Sequence, residues 1–430
     1  MRKLRNNKNI FFMFLLLLCA QFSQAQREHP VTIIIAPDHP DWIYKVNETV
    51  TFNIQIYKYG NLVKDAVINY DLGPEMYPTE QKKDVRLKDG TLKLKAKMDR
   101  PGFLRCNVST TIDGIKYSDS AEAGIEPEKI QPTTVEPEDF DEFWNNAISE
   151  ARKTPLSPSV TLLPERCTDK VNVYHVSFQN IRPGSRTFGI LCVPKKPGKY
   201  PALLRVPGAG IRPYAGDAWT AGYGAITLEI GIHGVPVNMP TSYYDNLYQG
   251  GLYQYWLMNR NNRDEFYFKR VFIGCVRAVD FICSLPEFDG KTLGVTGSSQ
   301  GGALSFVTAA LDKRVTFLAP VLPAMCDHTA SLENRADGWP HFFYKKKPQP
   351  GEVETSRYYD VVNFARRITV KGWYGLSYND ATCPPTTTFG AYNCVKAPKE
   401  LYRMFDTGHW WYDENYTEWS RWLRKQLGVE

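Results

Sequence analysis

The tightest constraint on the fold is a short run near residue 300. Leu293-Gly294-Val295-Thr296 reads as a buried strand, Gly297-Ser298-Ser299-Gln300-Gly301-Gly302 follows at once, and Leu304, Val307 and Leu311 then mark one face of a helix. A strand that turns straight into a helix strains the residue at its tip, and side chains two positions to either side would strike neighbouring backbone. Glycine at 297 and 301 removes that collision. The G-x-S-x-G spacing selects Ser299; Ser298 lacks the symmetric glycines. A glycine-rich turn without chemistry fits these six residues alone, so the reading rests on partners downstream.

A serine hydroxyl is a poor nucleophile until an imidazole accepts its proton, and an acid must hold that imidazole in the right tautomer. In the fold that uses this elbow the partners follow in the order serine, acid, histidine. His409 stands after an apolar run at 401–405, within Asp406-Thr407-Gly408-His409, and precedes the last helix; the rival His341 lies in a Pro- and Lys-rich insertion. Asp380, in Ser377-Tyr378-Asn379-Asp380, follows a strand-like run at 369–374. Asp406 is the alternative acid, but three residues before the histidine it suits a turn. The expected site is Ser299 as nucleophile, His409 as base and Asp380 as acid. Two preorganised donors for an oxyanion are expected from the backbone N–H of Gln300, at the helix N-terminus, and of Ala209, in Pro207-Gly208-Ala209-Gly210 after the run 202–206. Trp339, Trp410 and Trp411 are candidates to line the substrate site, with core packing as the plainer reading. No cysteine pair has C-x-x-C spacing and histidines do not cluster near the cysteines, so neither a metal nor a cofactor is expected.

Around this centre, 202–206, 225–230, 293–296, 317–321, 369–374 and 401–405 are short apolar or β-branched runs, mostly with helical stretches between them. That alternation predicts an α/β fold: a mainly parallel sheet with helices on both faces, of the α/β-hydrolase type. The last helix should bury Tyr416, Trp419, Leu423 and Leu427. Residues 27–123 differ. Val50, Phe52, Ile54 and Ile56 alternate with polar neighbours, as do Leu92, Leu94, Ala96 and Met98, and Asp89-Gly90 and Asp113-Gly114 mark turns. This predicts a small all-β, immunoglobulin-like sandwich. Residues 124–137, with Pro127, Pro132 and Pro137, read as a stiff linker, and the catalytic domain is placed at 138–430. With no acid, base and nucleophile together in it, the β domain is expected to be dispensable for chemistry.

The first residues carry Arg2, Lys3, Arg5 and Lys8, then an apolar run from Ile10 to Ala20 and small residues before Ala25. This is the pattern of a signal peptide, residues 1–25, and the run is short of the roughly 18 to 20 residues that span a bilayer. A periplasmic or extracellular product with no membrane span is expected. Its loss lowers the formal charge from +6 to +2, which does not suit a nucleic-acid binder. Eight cysteines remain, and export would permit some to pair.

From Pro137 onward the chain resembles the acetyl xylan esterase and cephalosporin C deacetylase family of α/β-hydrolases. The likeness lies in Glu138-Asp139-Phe140-Asp141-Glu142-Phe143-Trp144, Arg277-Ala278-Val279-Asp280-Phe281 and the elbow itself. It continues in Tyr359-Asp360-Val361-Val362-Asn363-Phe364-Ala365, in Asp380 with Cys383-Pro384-Pro385-Thr386, in Ala391-Tyr392-Asn393 and in Gly408-His409. The resemblance implies the same Ser299, Asp380 and His409, and acetylated sugars or oligosaccharides as substrate. It leaves a homo-oligomer open. Two departures border the acyl pocket: Gly231-Ile232-His233-Gly234 stands where members carry Arg-Gly-Gln-Gly, and Ala209 where they carry tyrosine. Two other readings stay open: another ester or peptide hydrolase of this fold, and a sugar-binding protein built on a degenerate hydrolase.

Overall fold

The computed structural model describes residues 29–429; the leader read at 1–25 lies outside them. The N-terminal part is all β: β1 (Val31–Pro37), β2 (Ile43–Tyr44), β3 (Val50–Lys58), β4 (Asn61–Leu62), β5 (Val67–Pro74), β6 (Glu80–Arg86), β7 (Thr91–Ala96), β8 (Gly102–Ile112) and β9 (Ile115–Ile125). One sheet holds β1, β3, β4 and β7, the other runs β2-β9-β8-β5-β6. Their cores follow the two-residue period. Val50, Phe52, Ile54 and Ile56 are wholly buried, and Phe52 and Ile54 stand opposite Leu94 and Leu92 on the same face.

The rest is organised on one sheet of nine strands among the described residues: β10 (Ser159–Leu162), β11 (Val171–Gln179), β12 (Arg186–Pro194), β13 (Tyr200–Arg205), β14 (Ile226–Gly231), β15 (Phe288–Ser298), β16 (Phe317–Val321), β17 (Lys371–Ser377) and β18 (Lys399–Met404). Their spatial order is β10-β11-β12-β14-β13-β15-β16-β17-β18. From β14 to β18 all pairs are parallel, while β10, β11 and β12 enter antiparallel. This is the α/β-hydrolase fold. The six runs read as strands from the sequence are the six parallel strands. The run expected at 369–374 starts at Lys371 and continues to Ser377, because its pairing with β16 and β18 sets its ends where the β-branched Thr369 and Val370 do not.

Both sheet faces are covered, which is why inner strands such as β16 are buried along their length, while the edge strand β18 carries Lys399, Glu400 and Arg403. The helices Phe140–Arg152, Tyr267–Ser284 and Gln300–Leu311 cover one face, where Trp144 and Phe272 pack together. The helix Asp413–Leu427 covers the other, setting Trp419, Trp422 and Leu423 on Leu203, Phe317 and Trp373. Burying each such side chain contributes about 2 kcal/mol. Tyr416, expected in that stripe, is 41% exposed and lines a cleft instead, and Trp422 takes its place.

The Pro-rich segment 124–137, read as a stiff linker, is fastened along its length. Asn393 Nδ2 donates to the carbonyls of Pro127 (3.0 Å) and Ile130 (2.9 Å), and the Asp327 carboxylate accepts from the backbone N–H of Thr133 and Thr134 (2.9 Å each). The β region itself lies against the larger one. Phe103 of β8 belongs to the large core, edge-on to Tyr378 at 5.0 Å and tilted against Phe389 at 5.3 Å. Beside it three charged side chains are shut in. Arg105 donates to Glu122, and Glu75 accepts from the Thr386 N–H at 3.2 Å. Burial pushes both carboxyls above the usual range, against the pull of Arg105. Two carboxyls share one guanidinium, so one keeps its proton near neutrality.

A carboxyl whose folded pKa is raised adds stability below its unfolded value, near 4.5, and loses it as pH rises through the folded value. Between pH 5 and 8 the unfolding midpoint of the wild type should therefore fall relative to Glu75→Gln by about 2 °C or more, because a neutral amide mimics the protonated carboxyl. Parallel thermal melts at both ends of that range check the sign; a constant difference between the two proteins would mean that Glu75 does not titrate there.

Candidate active site

Each candidate side chain sits just beyond the carboxyl end of a parallel strand, where an open α/β sheet places its ligand site. Ser299 follows β15, the loop 207–210 follows β13, Asp380 follows β17 and His409 follows β18. Ser299 has φ 61° and ψ −125°, a strained conformation for a residue with a side chain. Its N–H donates to Val321 O at 2.9 Å, which fixes the turn to β16. The glycines leave room for this: a Cβ on Gly297 or on Gly301 would lie 2.4 Å from the Val206 carbonyl oxygen.

The three side chains form one hydrogen-bonded row. Ser299 Oγ lies 2.9 Å from His409 Nε2, and His409 Nδ1 lies 2.7 Å from Asp380 Oδ2. Asp380 is 1% exposed, and its Oδ1 accepts from the N–H groups of Thr382 and Cys383 at 2.8 Å each. A carboxylate so held orients Nδ1–H toward itself and leaves Nε2 free to accept from serine. Asp406 accepts instead from the Tyr412 hydroxyl, and His341 pairs with Asp337. Asp380, His409 and Cys383 also bring one ligand atom each within 4.8 Å of one another. Burial, then the nearby Asp380, push the Cys383 thiol well up, so it is poorly suited to bind a metal as thiolate.

The Gln300 N–H opens the helix after the serine, and among the described residues neither it nor the Ala209 N–H finds an acceptor. The side chain of Gln300 is buried and accepts from the Tyr255 hydroxyl at 2.6 Å, while its Nε2 donates to Pro207 O at 3.3 Å. His233, at the departure from the family turn, reaches the same loop. Its Nε2 faces Gly210 O at 3.1 Å, which fixes the proton there, and its Nδ1 accepts from the Tyr267 hydroxyl at 2.8 Å. Burial lowers its pKa to about 4, so it stays neutral at ordinary pH. Sequence reasoning noted His233 only as a departure; its contacts lie 23 and 34 residues away.

A cavity of about 850 Å³ opens on Ser299 and His409, lined also by Ala209, Trp339 and Trp411. Trp410 is outside that lining, 49% exposed and edge-on to Tyr412. Neighbouring residues of an extended segment point apart, so only one of the pair 410 and 411 can face the cavity. Charged residues that the sequence did not single out line it as well. Arg205 pairs with Asp217 at 2.5 Å, Glu229 accepts from the Gly216 N–H at 2.9 Å, and Arg212 folds back onto the carbonyls of Gly208 and Ala209.

The family model for acetyl xylan esterases (AXE1) matches residues 126–425. The chain belongs to the acetyl xylan esterase family. It is 40% identical over 405 residues to the acetyl esterase Axe7A of Xylanibacter ruminicola, an alignment covering 92% of this chain and 90% of that one. That coverage exceeds the family segment and reaches into the β region. An acetyl xylan esterase from Paenibacillus sp. R4 superposes with a TM-score of 0.61 at 28% identity, over 71% of this chain and 99% of the other. Acetyl xylan esterase 1 from Thermoanaerobacterium sp. JW/SL YS485 gives 0.60 at 24%, over 70% and 98%, and shows the fold. The chain is a carboxylic ester hydrolase. No described helix is long and apolar enough to cross a membrane, and the eight described cysteines are unpaired.

Gly301→Ala should lower the unfolding midpoint, since an overpacked contact of this kind costs about 1–3 kcal/mol. It should also lower turnover of 4-nitrophenyl acetate at least about tenfold by moving the strand end that carries loop 207–210. Melting curves and steady-state kinetics on the same preparation check both, and full activity would show that the close approach is not needed.

Proposed function

We propose that this acetyl xylan esterase family member is an exported serine esterase that removes O-acetyl groups from carbohydrates through an acetyl-enzyme intermediate. The observation that carries the reading is the unbroken row from Ser299 Oγ through His409 to Asp380. As Ser299 Oγ attacks the acetyl carbonyl carbon, His409 Nε2 takes its proton, and Asp380 stabilises the imidazolium. The oxyanion faces the N–H groups of Gln300 and Ala209, which have no competing acceptor among the described residues. Collapse breaks the bond to the sugar oxygen, which leaves with the proton from His409. Water then attacks the acetyl-serine, gives its proton to the same nitrogen, and releases acetate and free serine.

An acetylated sugar suits the cavity because its lining mixes aromatic faces, Trp339 and Trp411, with fixed polar groups. The neutral His233 holds Gly210 and so the loop bearing Ala209, which is how the altered turn still serves an oxyanion. Export is read from residues 1–25. Acetate release from a panel of acetylated xylo-oligosaccharides tests the substrate class.

Ser299→Ala should keep the fold and lower turnover about 10³-fold or more, since binding and the oxyanion donors survive while the nucleophilic route is gone. Ser298→Ala should cost little. Near-normal activity of the Ser299 variant would sink the reading. On 4-nitrophenyl esters, acetate should be turned over much faster than butyrate or octanoate, because the small acyl pocket that the family resemblance implies cannot make room for added methylenes; a preference for octanoate would point to a lipase-like site.

A further inference from the structure

The residue before Asp380 is bound to the β region. Asn379 is buried, its Oδ1 accepts from the Glu122 N–H at 2.8 Å, and its Nδ2 donates to the Ser120 carbonyl at 3.1 Å. These two groups lie two residues apart on β9 and point to the same edge. On that edge Gly124 and Glu126 donate to the carbonyls of Trp42 and Tyr44, at 2.8 and 2.9 Å, in the parallel pairing with β2. A carboxamide carries the donor and acceptor of a peptide unit, so Asn379 continues that rung as one residue of a parallel strand would. Its own N–H donates to Thr407 O at 3.1 Å, two residues before His409. The acid loop is gripped on either side of this point: Tyr378 meets Phe103 edge-on, and Glu75 accepts from the Thr386 N–H.

We infer that Asn379, clamped on the free edge of β9, is a positioning residue that sets Asp380 against His409, and that the N-terminal β region thereby completes the active site. The inference rests on Asp380 being the catalytic acid. A carboxylate is useful to an imidazole only within a few tenths of an ångström of its place. The seven-residue turn 378–384 between β17 and the helix Pro385–Cys394 is closed on itself by the bonds of Asp380 to Thr382 and Cys383, and Asn379 is where it is tied to the β region. The β region, expected to be dispensable for chemistry on sequence grounds, supplies the fixed edge.

The test uses the full chain and 4-nitrophenyl acetate. Asn379→Ala should lower kcat about tenfold or more with KM within about twofold, and should weaken or remove the downfield proton resonance of the His409 Nδ1–H facing Asp380. Asn379→Gln, which keeps the carboxamide, should recover part of both. A folded Asn379→Ala protein with kcat within twofold of wild type, or with an unchanged resonance, overturns the inference. If that variant does not fold, Phe103→Leu, which slackens the same loop from the β side, should lower kcat about threefold at unchanged KM, and an unchanged kcat there overturns it. Asp380→Ala run alongside separates the two levels: full activity removes the triad reading itself, whereas an inactive Asp380→Ala beside a wild-type-like Asn379→Ala removes only this inference.

Discussion

The rest of the structure depends on a backbone approach that only glycine allows. Gly297 and Gly301 flank Ser299 so closely to the Val206 carbonyl that any side chain at either position would overlap it. Because the chain passes through this gap, β15 can turn into a helix within one residue. Ser299 then adopts its positive φ, and its hydroxyl stands clear of the sheet. The same gap brings the end of β13 beside the end of β15, so the loop 207–210 arrives next to the serine without a separate device. Strain at Ser299 is offset by its N–H bond to Val321 O and by the packed helix behind it.

Once the elbow is fixed, parallel pairing decides the remainder. β16, β17 and β18 follow β15 in register, so the loops after β17 and β18 emerge on the same side as Ser299. Asp380 and His409 meet because their strands are adjacent, with Ser377 paired to Met404. Thr407 ties the two loops again, accepting from the N–H of Asn379 and facing the Ser377 hydroxyl at 2.8 Å. The imidazole is thus held by strand register first and by hydrogen bonds second.

What was legible in the sequence was what the chain encodes locally. Two glycines four residues apart, a strand before and a helix after mark Ser299, and loops that end strands mark Asp380 and His409. The inner parallel strands were legible because strands buried on both faces are largely apolar; the edge strand β18, with Lys399, Glu400 and Arg403, was marked only by the short run that ends it. β10 is exposed along its length, and no comparable run of apolar residues marks the antiparallel entry of β10, β11 and β12. The charged lining of the cavity was hidden for another reason. Arg205, Arg212, Asp217 and Glu229 read as ordinary surface residues until folding faces them inward. Choosing Trp411 over Trp410 required the backbone direction. Trp339 is aimed at the cleft by packing against Trp256 at 5.6 Å, 83 residues earlier in the chain.

The β region shows the limit most clearly. Prolines at 127, 132 and 137 set stiffness, and stiffness suits a spacer as well as a brace. The difference lies in what the stiff segment touches, and Asn393 and Asp327 lie some 200 to 270 residues further on. A spacer would leave polar backbone to water, yet here it is matched to specific acceptors and donors, and Ile130 is buried. A buried Arg105 with two carboxyls is a costly arrangement at an interface, since its desolvation outweighs much of the ionic gain. All three charged side chains belong to the β region, and the Thr386 N–H to Glu75 is the bond that carries the cluster across, so it gives little net stability and ties one point of the interface. An interface that must merely hold would be better served by apolar residues; one that must keep β9 in register with Asn379 gains from a group that tolerates no slippage.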